Sequence, residues 1–377
     1  MELIFNEDIV KFLAFTFILM MAALGLSLIA LTIVSELENP KDTKTGLAKR
    51  EWILRDDKRQ RSELPPDKSV RFMQYNTLAD YLCYGGPDNF SKIQDVTIFD
   101  WDVRKGILLN SIVSYNPDII GLEEVDHYHD FFRPQLYNRG YDGLFCPKPK
   151  SAPVDIKPSP THGDGVALFW KRDTFELITR KFVIYTGQNQ VAIIAKMLRK
   201  SDARVFYVAV THLKAKKENS AIRLAEAMEL LDQIAISAQN EEKMPPVVLL
   251  GDLNDGPSNA ICDFIRNPTN KSSLFDISKY RDITKGLNGI TFQSAQEACE
   301  RVVSYTISKS NPYTTLKYRE KEGMIRHVID YIWYSDRIRL DAFLYPPECG
   351  DWTKFGLPDK LWPSDHISLV ADLVFLD

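Results

Sequence analysis

Short apolar runs that are typical of buried β-strands recur along most of this chain and constrain its fold more than any other feature. They lie between about Val70 and the C-terminus and read VRFMQYN, DIIGLEEV, DGVALFW, VFYVAVTHLK, VVLLGDLN, VIDYIWYS and HISLVADLVF. Helix-like segments separate them, among them the amphipathic SAIRLAEAMELLDQIAIS. Strands that alternate with helices predict one mixed α/β domain, which we place at residues 68–377.

The N-terminal region has a different composition from this domain. Residues 12–34 carry no charged side chain, and an apolar run of this length predicts a transmembrane helix. A short tail, residues 1–11, precedes it, and a charged linker, residues 35–67, follows it. Because lysine and arginine are concentrated after the apolar run, the positive-inside rule predicts a membrane-anchored protein whose large domain faces the cytosol. The ER and the mitochondrial outer membrane are the locations we expect for such an anchor.

Charge and cysteine content exclude two classes of protein. The formal net charge is −4, so the chain lacks the strongly basic character of proteins that bind long nucleic acids electrostatically. The five cysteines are scattered and form no Cys-x-x-Cys pair, which indicates reduced thiols rather than a disulfide framework. A phosphate-bearing substrate would therefore have to be held by local cations in a pocket.

Polar and acidic residues stand where the apolar runs begin or end. They are Asn76, Glu124, His212, Asp252, Asn254, Asp330, Asp365 and His366. Residues two apart in a strand point the same way, so Asp252 and Asn254 can address one site together. Taken singly, each of these residues has an ordinary explanation, because an Asp or Asn after a strand is usually a turn residue. Together they predict a shared site at the strand ends.

The donor types in this set point to a metal and a reaction. Oxygen ligands without clustered cysteine or histidine suit Mg²⁺, with Mn²⁺ as an alternative, rather than zinc. A histidine beside them supplies a proton-transfer group near neutral pH. Carboxylates, amides and a histidine around Mg²⁺ are what the hydrolysis of a phosphoester requires, since the metal offsets charge on the phosphoryl oxygens.

Six short motifs, taken in order, resemble the endonuclease/exonuclease/phosphatase superfamily. They are N-x-L, L-x-E-V, D-G-x-A-L-F, T-H-L-K, G-D-x-N and S-D-H-x-x-L, and the resemblance extends over about residues 70–375. The segments EEVDHY, GYDGLFCPKP, NPYTTLKYR and RHVIDYIWYS are similar to the nocturnin family, in the branch that also holds the CCR4-type deadenylases. This resemblance implies a four-layer α/β sandwich, in which two packed mixed β-sheets are flanked by helices.

The resemblance also implies a role for each strand-end residue. The metal-binding set is Glu124, with Asn76 and Asp365 near the ion. The catalytic set is Asp252, which activates or positions water, Asn254, which holds the phosphate, His366 with Asp330 as its orienting carboxylate, and the phosphate-facing His212.

The substrate implied by the resemblance is NADP(H), whose 2′-phosphate would be removed to leave NAD(H). The substrate-binding residues would be Lys148, Lys214, Lys216 and Arg319, with Lys216 standing where an arginine is usual in that family. A compact basic cluster without an extended basic track favours a small nucleotide over RNA. The alternatives are a 3′–5′ exoribonuclease or poly(A) deadenylase, a 2′,5′-oligoadenylate phosphodiesterase, and a catalytically silent membrane-tethered binding protein.

Overall fold

The structure is a computed structural model that describes residues 50–54, 69–83, 90–150, 163–268, 287, 290–298, 313–347 and 355–376. The strands are β1 (Trp52–Leu54), β2 (Ser69–Asn76), β3 (Ile119–Val125), β4 (Tyr141–Pro147), β5 (Gly165–Lys171), β6 (Phe175–Ile184), β7 (Val191–Arg199), β8 (Arg204–His212), β9 (Val247–Asp252), β10 (Phe292–Ser294), β11 (Thr315–Arg319), β12 (Gly323–His327), β13 (Asp330–Ser335), β14 (Ile338–Leu344) and β15 (Leu369–Phe375). The α-helices are α1 (Asp80–Cys83), α2 (Trp101–Val113), α3 (Arg133–Tyr137), α4 (Ser220–Ser237) and α5 (Ala260–Arg266).

Most of these strands belong to two mixed sheets. Sheet A has the order β1-β14-β15-β2-β3-β5-β4, and sheet B has the order β10-β13-β9-β8-β7-β6. In the described residues each sheet contains one parallel pair, β2–β3 in sheet A and β8–β9 in sheet B. A parallel pair requires a crossover connection, and helices α2 and α4 occupy these two connections. The hairpin β11–β12 lies outside both sheets.

The two sheets pack face to face around a shared core. Side chains of both sheets contribute to it, among them Phe72, Leu168, Ile193, Val210 and Leu250. The strands of the parallel pairs are buried on both faces, as the sequence VVLLGD of β9 shows with burial at every position. Near-continuous apolar runs are expected for strands covered on both sides.

Helices cover the outer faces of the two sheets. On sheet A, Met73 and Ile120 pack with Leu108 of α2. On sheet B, Leu249 packs with Leu231 of α4, in a cluster that also includes residues of α5. The order helix, sheet, sheet, helix confirms the predicted α/β sandwich of two packed mixed sheets.

The predicted membrane-anchored localisation is corrected by the structure. In the described ranges, no helix is long and apolar enough to cross a bilayer. The 18-residue α4 is long enough, but it carries Arg223, Glu226, Glu229 and Asp232. The predicted span at 12–34 and the tail before it lie outside the described residues.

Part of the predicted linker contributes to sheet A. The apolar triplet Trp52–Leu54 forms β1 and pairs antiparallel with β14. Beside it, the guanidinium of Arg50 donates hydrogen bonds to the backbone oxygens of Leu344 (2.8 Å) and Tyr345 (3.1 Å). These backbone contacts attach the segment to the edge of the sheet.

Gly121 on β3 lies at a close approach of the two sheets. A Cβ atom there would lie 2.9 Å from Leu250 Cδ1 and 3.1 Å from Val210 Cγ2, both on sheet B. We expect Gly121→Val to lower the free energy of unfolding by about 1–3 kcal/mol through overpacking, measured by urea denaturation. Gly106 of α2 is the control, because a Cβ there meets nothing within 4 Å. Gly106→Ala should raise stability by up to about 1 kcal/mol, and equal losses for the two variants would contradict this account.

Candidate active site

The carboxyl ends of the two parallel strand pairs meet at one end of the sandwich. Asn76 closes β2 and Glu124 lies at the end of β3, while His212 and Asp252 close β8 and β9. Parallel strands end at the same edge of a sheet, and face-to-face packing brings the two edges together. Asp330 begins the neighbouring β13 directly opposite Asp252. The fold therefore places the predicted strand-end residues around one site.

Asp252 lies at the centre of this site. Its Oδ2 accepts a hydrogen bond from Asn76 Nδ2 at 3.0 Å and lies 3.6 Å from His212 Nε2 and 3.8 Å from His366 Nε2. Its Oδ1 accepts the backbone N–H of Asn254 at 2.9 Å. A single carboxylate is thus within reach of both histidines.

His366 and Asp330 form a buried ion pair. His366 Nδ1 donates to Asp330 Oδ2 at 2.8 Å, and the Asp330 side chain has no exposed surface. Burial alone would lower the pKa of His366, but the charges of Asp330 and Asp365 outweigh it and raise this pKa to about 10. His366 is therefore an imidazolium at neutral pH, with Nε2 directed toward the centre of the site.

His212 has the opposite protonation state. Burial lowers the pKa of His212 to about 4, so its ring is neutral near pH 7. Asn254 Nδ2 lies 3.0 Å from His212 Nε2 and also donates to the Leu213 carbonyl at 3.0 Å. Because the amide nitrogen is a donor, this contact makes Nε2 the acceptor and leaves the ring proton on Nδ1, 4.0 Å from Glu124 Oε1.

The carboxylates of the site suit a divalent cation. One atom each from Asp252, Asp330 and His366 lie within 4.8 Å of one another, but the imidazolium of His366 has no lone pair for a metal, so the carboxylates are the candidate ligands. The predicted metal ligand Glu124 lies beside this cluster, and burial and the charge of Asp365 raise its pKa. Crowded carboxylates of this kind are relieved by a cation, and oxygen donors match Mg²⁺-type ions. The donor set therefore fits the predicted metal.

Two site residues adopt a backbone conformation that is uncommon outside glycine. Glu124 has φ +53° and Asn254 has φ +52°. Such conformations cost free energy and cluster at functional sites. At Glu124 the conformation coincides with a register irregularity between Leu122 and Val125 of β3. Glu124 therefore approaches His212 while its neighbour Glu123 points to a separate buried contact with Gln74.

Lysine side chains lie beside the carboxylates. Lys148 Nζ pairs with the buried Asp164, and only 10% of the Lys148 side chain is exposed. The charge of Lys148 acts on the pKa of Glu124, which places the ammonium near the site. Lys317 Nζ donates to Asp365 Oδ2 at 2.9 Å. Despite burial, the charges of Lys317 and His366 hold the pKa of Asp365 below its ordinary value.

The other predicted basic residues, Lys214, Lys216 and Arg319, are partly or fully exposed. The backbone carbonyls of Lys214 and Lys216 accept hydrogen bonds from Arg223 of α4 at 3.2 and 2.6 Å. Arg319 pairs with Glu322 across the turn of the hairpin β11–β12. The contacts described for Lys216 and Arg319 are thus with these neighbours and not with the carboxylates of the site.

Glu226 of α4 contacts the segment that follows β8, at Lys214, and should make the stability of the fold depend on pH. Its Oε2 accepts the backbone N–H of Lys214 at 2.8 Å, and burial raises its pKa to about 7 from the ordinary 4.5. Between these values the folded chain binds more protons than the unfolded chain, so stability falls as pH rises from about 4.5 to 7. We expect Glu226→Gln to make this pH-dependent loss of stability smaller by about 1–3 kcal/mol. The measurement is the difference between the Tm at pH 5 and the Tm at pH 8, for the variant and for the unmodified chain. A Tm difference equal to that of the unmodified chain would contradict the assignment.

Two residues of the site were not among the sequence predictions. Gln74 lies two positions before Asn76 on β2, and Lys317 lies two positions before Arg319 on β11. Residues two apart share one face of a strand. The positions of Asn76 and Arg319 therefore could have predicted that Gln74 and Lys317 lie on the same face as the site. The buried contact of Glu123 depends on the irregularity in β3, which no alternation in the sequence indicates.

The chain is similar to known proteins in family, in sequence and in structure. A family model described as Endonuclease/Exonuclease/phosphatase family matches residues 73–366. Human nocturnin is 35% identical over 317 residues, which cover 82% of this chain and 66% of the human protein. Nocturnin of Xenopus laevis is 32% identical over 323 residues, which cover 84% of this chain and 75% of the frog protein. The chain thus spans slightly less than two thirds of the human protein.

A solved structure shows the same architecture. The human nocturnin catalytic domain with a bound sulfate anion matches with a TM-score of 0.63 and 29% identity, covering 87% of this chain and 97% of that domain. The chain belongs to the endonuclease/exonuclease/phosphatase family of phosphoester hydrolases, within its nocturnin group.

Proposed function

We propose that this chain is a divalent-metal-dependent hydrolase that removes the 2′-phosphate of NADP(H) and leaves NAD(H) and phosphate. The observation that carries the hydrolytic part is the position of Asp252, whose Oδ2 lies 3.6 Å from a neutral histidine and 3.8 Å from a charged one. A carboxylate that can accept a proton thus stands beside groups that can bind a phosphoryl oxygen.

The roles of the side chains follow from their charges and positions. Asp252 takes a proton from the attacking water as the bond from oxygen to phosphorus forms. The imidazolium of His366 donates a hydrogen bond to a phosphoryl oxygen, where negative charge increases in the transition state. Asn254 holds the phosphate once one of its two amide protons is released from His212 or Leu213. The bond from phosphorus to the ribose 2′ oxygen breaks, that oxygen takes up a proton from solvent water, and Asp252 later returns its proton to solvent. His212 faces the phosphate with its Nδ1–H, because its Nε2 accepts from Asn254.

The metal would be held by Glu124, with Asn76 and Asp365 nearby. Mg²⁺ is the ion we propose, with Mn²⁺ as an alternative, because the donors are oxygens. When bound, the ion supplies positive charge that offsets the charge on the phosphoryl oxygens. Lys317 holds Asp365 by an ion pair at 2.9 Å and so keeps this carboxylate ionised.

The number and placement of cations support a small nucleotide as the substrate. Lys148 and Lys317 pair with carboxylates at the site, and we infer that Lys214, Lys216 and Arg319, whose described contacts are with other neighbours, contact the substrate. The formal net charge of the chain is −4. An exonuclease that follows a single strand uses a longer basic groove with aromatic stacking platforms. A compact group of cations matches the few phosphates of a dinucleotide.

The test follows both products from NADP⁺. The purified full chain is incubated with NADP⁺ in Mg²⁺, in Mn²⁺ or in EDTA, and phosphate and NAD⁺ are measured. We expect equal amounts of the two products with metal, none with EDTA, and at least about 10²-fold less with Glu124→Ala. Glu124→Ala acting at the unmodified rate would refute the proposal. Shortening of a labelled oligoadenylate without NADP⁺ turnover would favour the exonuclease, and turnover of neither would favour a silent binding protein.

A further inference from the structure

Gln74 lies in the centre of the fold next to the catalytic side chains. It is fully buried on β2, two residues before Asn76. Its Nε2 donates to Glu123 Oε2 at 2.8 Å and to Asp330 Oδ1 at 2.9 Å. An amide nitrogen carries two protons. Both are used in these contacts, each accepted by a different carboxyl group.

These two contacts fix the orientation of the amide. If the amide of Gln74 turned over, its Oε1 would face Oδ1 of Asp330, the carboxylate that pairs with His366, and two acceptor oxygens cannot hydrogen-bond to each other. Glu123, whose side chain is fully buried, thus anchors one proton of the amide while the other is directed at Asp330.

Asp330 is in turn held at both of its oxygens. Gln74 occupies Oδ1, and His366 Nδ1 occupies Oδ2 at 2.8 Å. A carboxylate bonded at only one oxygen can rotate about its terminal torsion, which is a broad one. With both oxygens occupied, the carboxylate plane is set, and the ring of His366 is set with it. His366 Nε2 then lies 3.8 Å from Asp252.

We propose that Gln74 is a positioning residue for hydrolysis, which acts through Asp330 to hold the His366 ring toward Asp252. Gln74 touches neither the substrate nor the reacting atoms. This role deepens the proposed function and rests on the hydrolytic role of the same site. Glu123 contributes by keeping the amide of Gln74 from turning over.

The test replaces the amide without changing the length of the side chain. Gln74→Met should lower kcat for NADP⁺ by about 10–100-fold with KM changed less than about 3-fold, the range seen for residues that orient ligands from behind. The proton on His366 Nδ1 should shift or broaden in the downfield region of the NMR spectrum. In an Asp330→Asn background, Gln74→Met should cause no further loss of kcat, because Gln74 acts on His366 only through Asp330.

Gln296→Leu is the matched control. Gln296 is also buried, and its Nε2 also donates to Asp330, but to the backbone oxygen rather than to the carboxylate. We expect this variant to lose stability while its kcat and the His366 proton stay unchanged. If Gln74→Met does not fold, the double variant Gln74→Met/Glu123→Gln is used in its place. It replaces the carboxyl group of Glu123, which would otherwise be buried without the hydrogen bond from Gln74.

Two results would overturn the proposal. One is a Gln74→Met variant that loses only stability, as Gln296→Leu does, with kcat and the His366 proton unchanged. The other is a double variant, Gln74→Met/Asp330→Asn, whose loss of kcat equals the sum, in free energy, of the losses of the two single variants. If the unmodified chain releases no phosphate from NADP⁺, the proposed function fails, while the His366 proton still tests the positioning role.

Discussion

Asp252→Asn should lower kcat for phosphate release by about 10²–10⁴-fold, the loss expected when a positioned proton acceptor is removed. The carboxylate of Asp252 accepts from Asn76 at 3.0 Å and lies between the two histidines of the site. An asparagine fills the same volume but cannot take a proton from water. Its amide nitrogen would also oppose the amide nitrogen of Asn76 or the backbone N–H of Asn254.

The measurement is kcat and KM for NADP⁺ with saturating Mg²⁺, together with a urea denaturation curve. Burial and the charge of Asp330 raise the pKa of Asp252, so removing this carboxylate should not cost the fold much stability. Asp372→Asn is the matched control. Asp372 is equally buried, but it pairs with Arg71 at 2.6 Å on sheet A. The control should lose stability and keep its kcat, and a comparable fall in kcat for both variants would argue against a specific role of Asp252.

Asp330→Asn should lower kcat by about 10³–10⁴-fold, because the orienting carboxylate of a catalytic histidine sets both its tautomer and its charge. Asp330 accepts from His366 Nδ1 at 2.8 Å in a fully buried position. An asparagine can present its nitrogen to the ring and so force the proton to the other side. Without the carboxylate, the pKa of His366 loses its largest upward contribution and falls.

The pH dependence distinguishes this effect from that of Asp252→Asn. In the unmodified chain the pKa of His366 is raised to about 10 from the ordinary 6.5. The ion pair therefore stabilises the fold fully below about pH 6.5, and this stabilisation is lost as pH rises through about 10. We expect the alkaline fall of kcat to move to lower pH in Asp330→Asn, measured between pH 5 and pH 10. An alkaline limb at the same pH in both proteins would show that Asp330 does not control the charge of His366.

Much of the site was predictable because strand ends have a simple geometry. The runs VVLLGDLN and DIIGLEEV indicate buried strands, and β9 and β3 are interior strands of the two sheets, with a neighbour on each side. Since the parallel strands end at one edge, Asp252 and Glu124 were expected to be neighbours, and they share His212 as a contact. The prediction of membrane anchoring rested on the uncharged run at 12–34 and the charges that flank it, whereas none of the described helices is long and apolar enough to cross a bilayer.

The sequence by itself determined which residue types stand at the ends of which strands, because apolar alternation and turn residues are local properties. Only the tertiary structure decided how far each group is from the next and, through burial, which charge it carries. His212 and His366 have the same ordinary pKa, yet burial lowers one to about 4 and neighbouring carboxylates raise the other to about 10. Electrostatic energies depend on distance and on exposure to water, and both arise only when two sheets pack together.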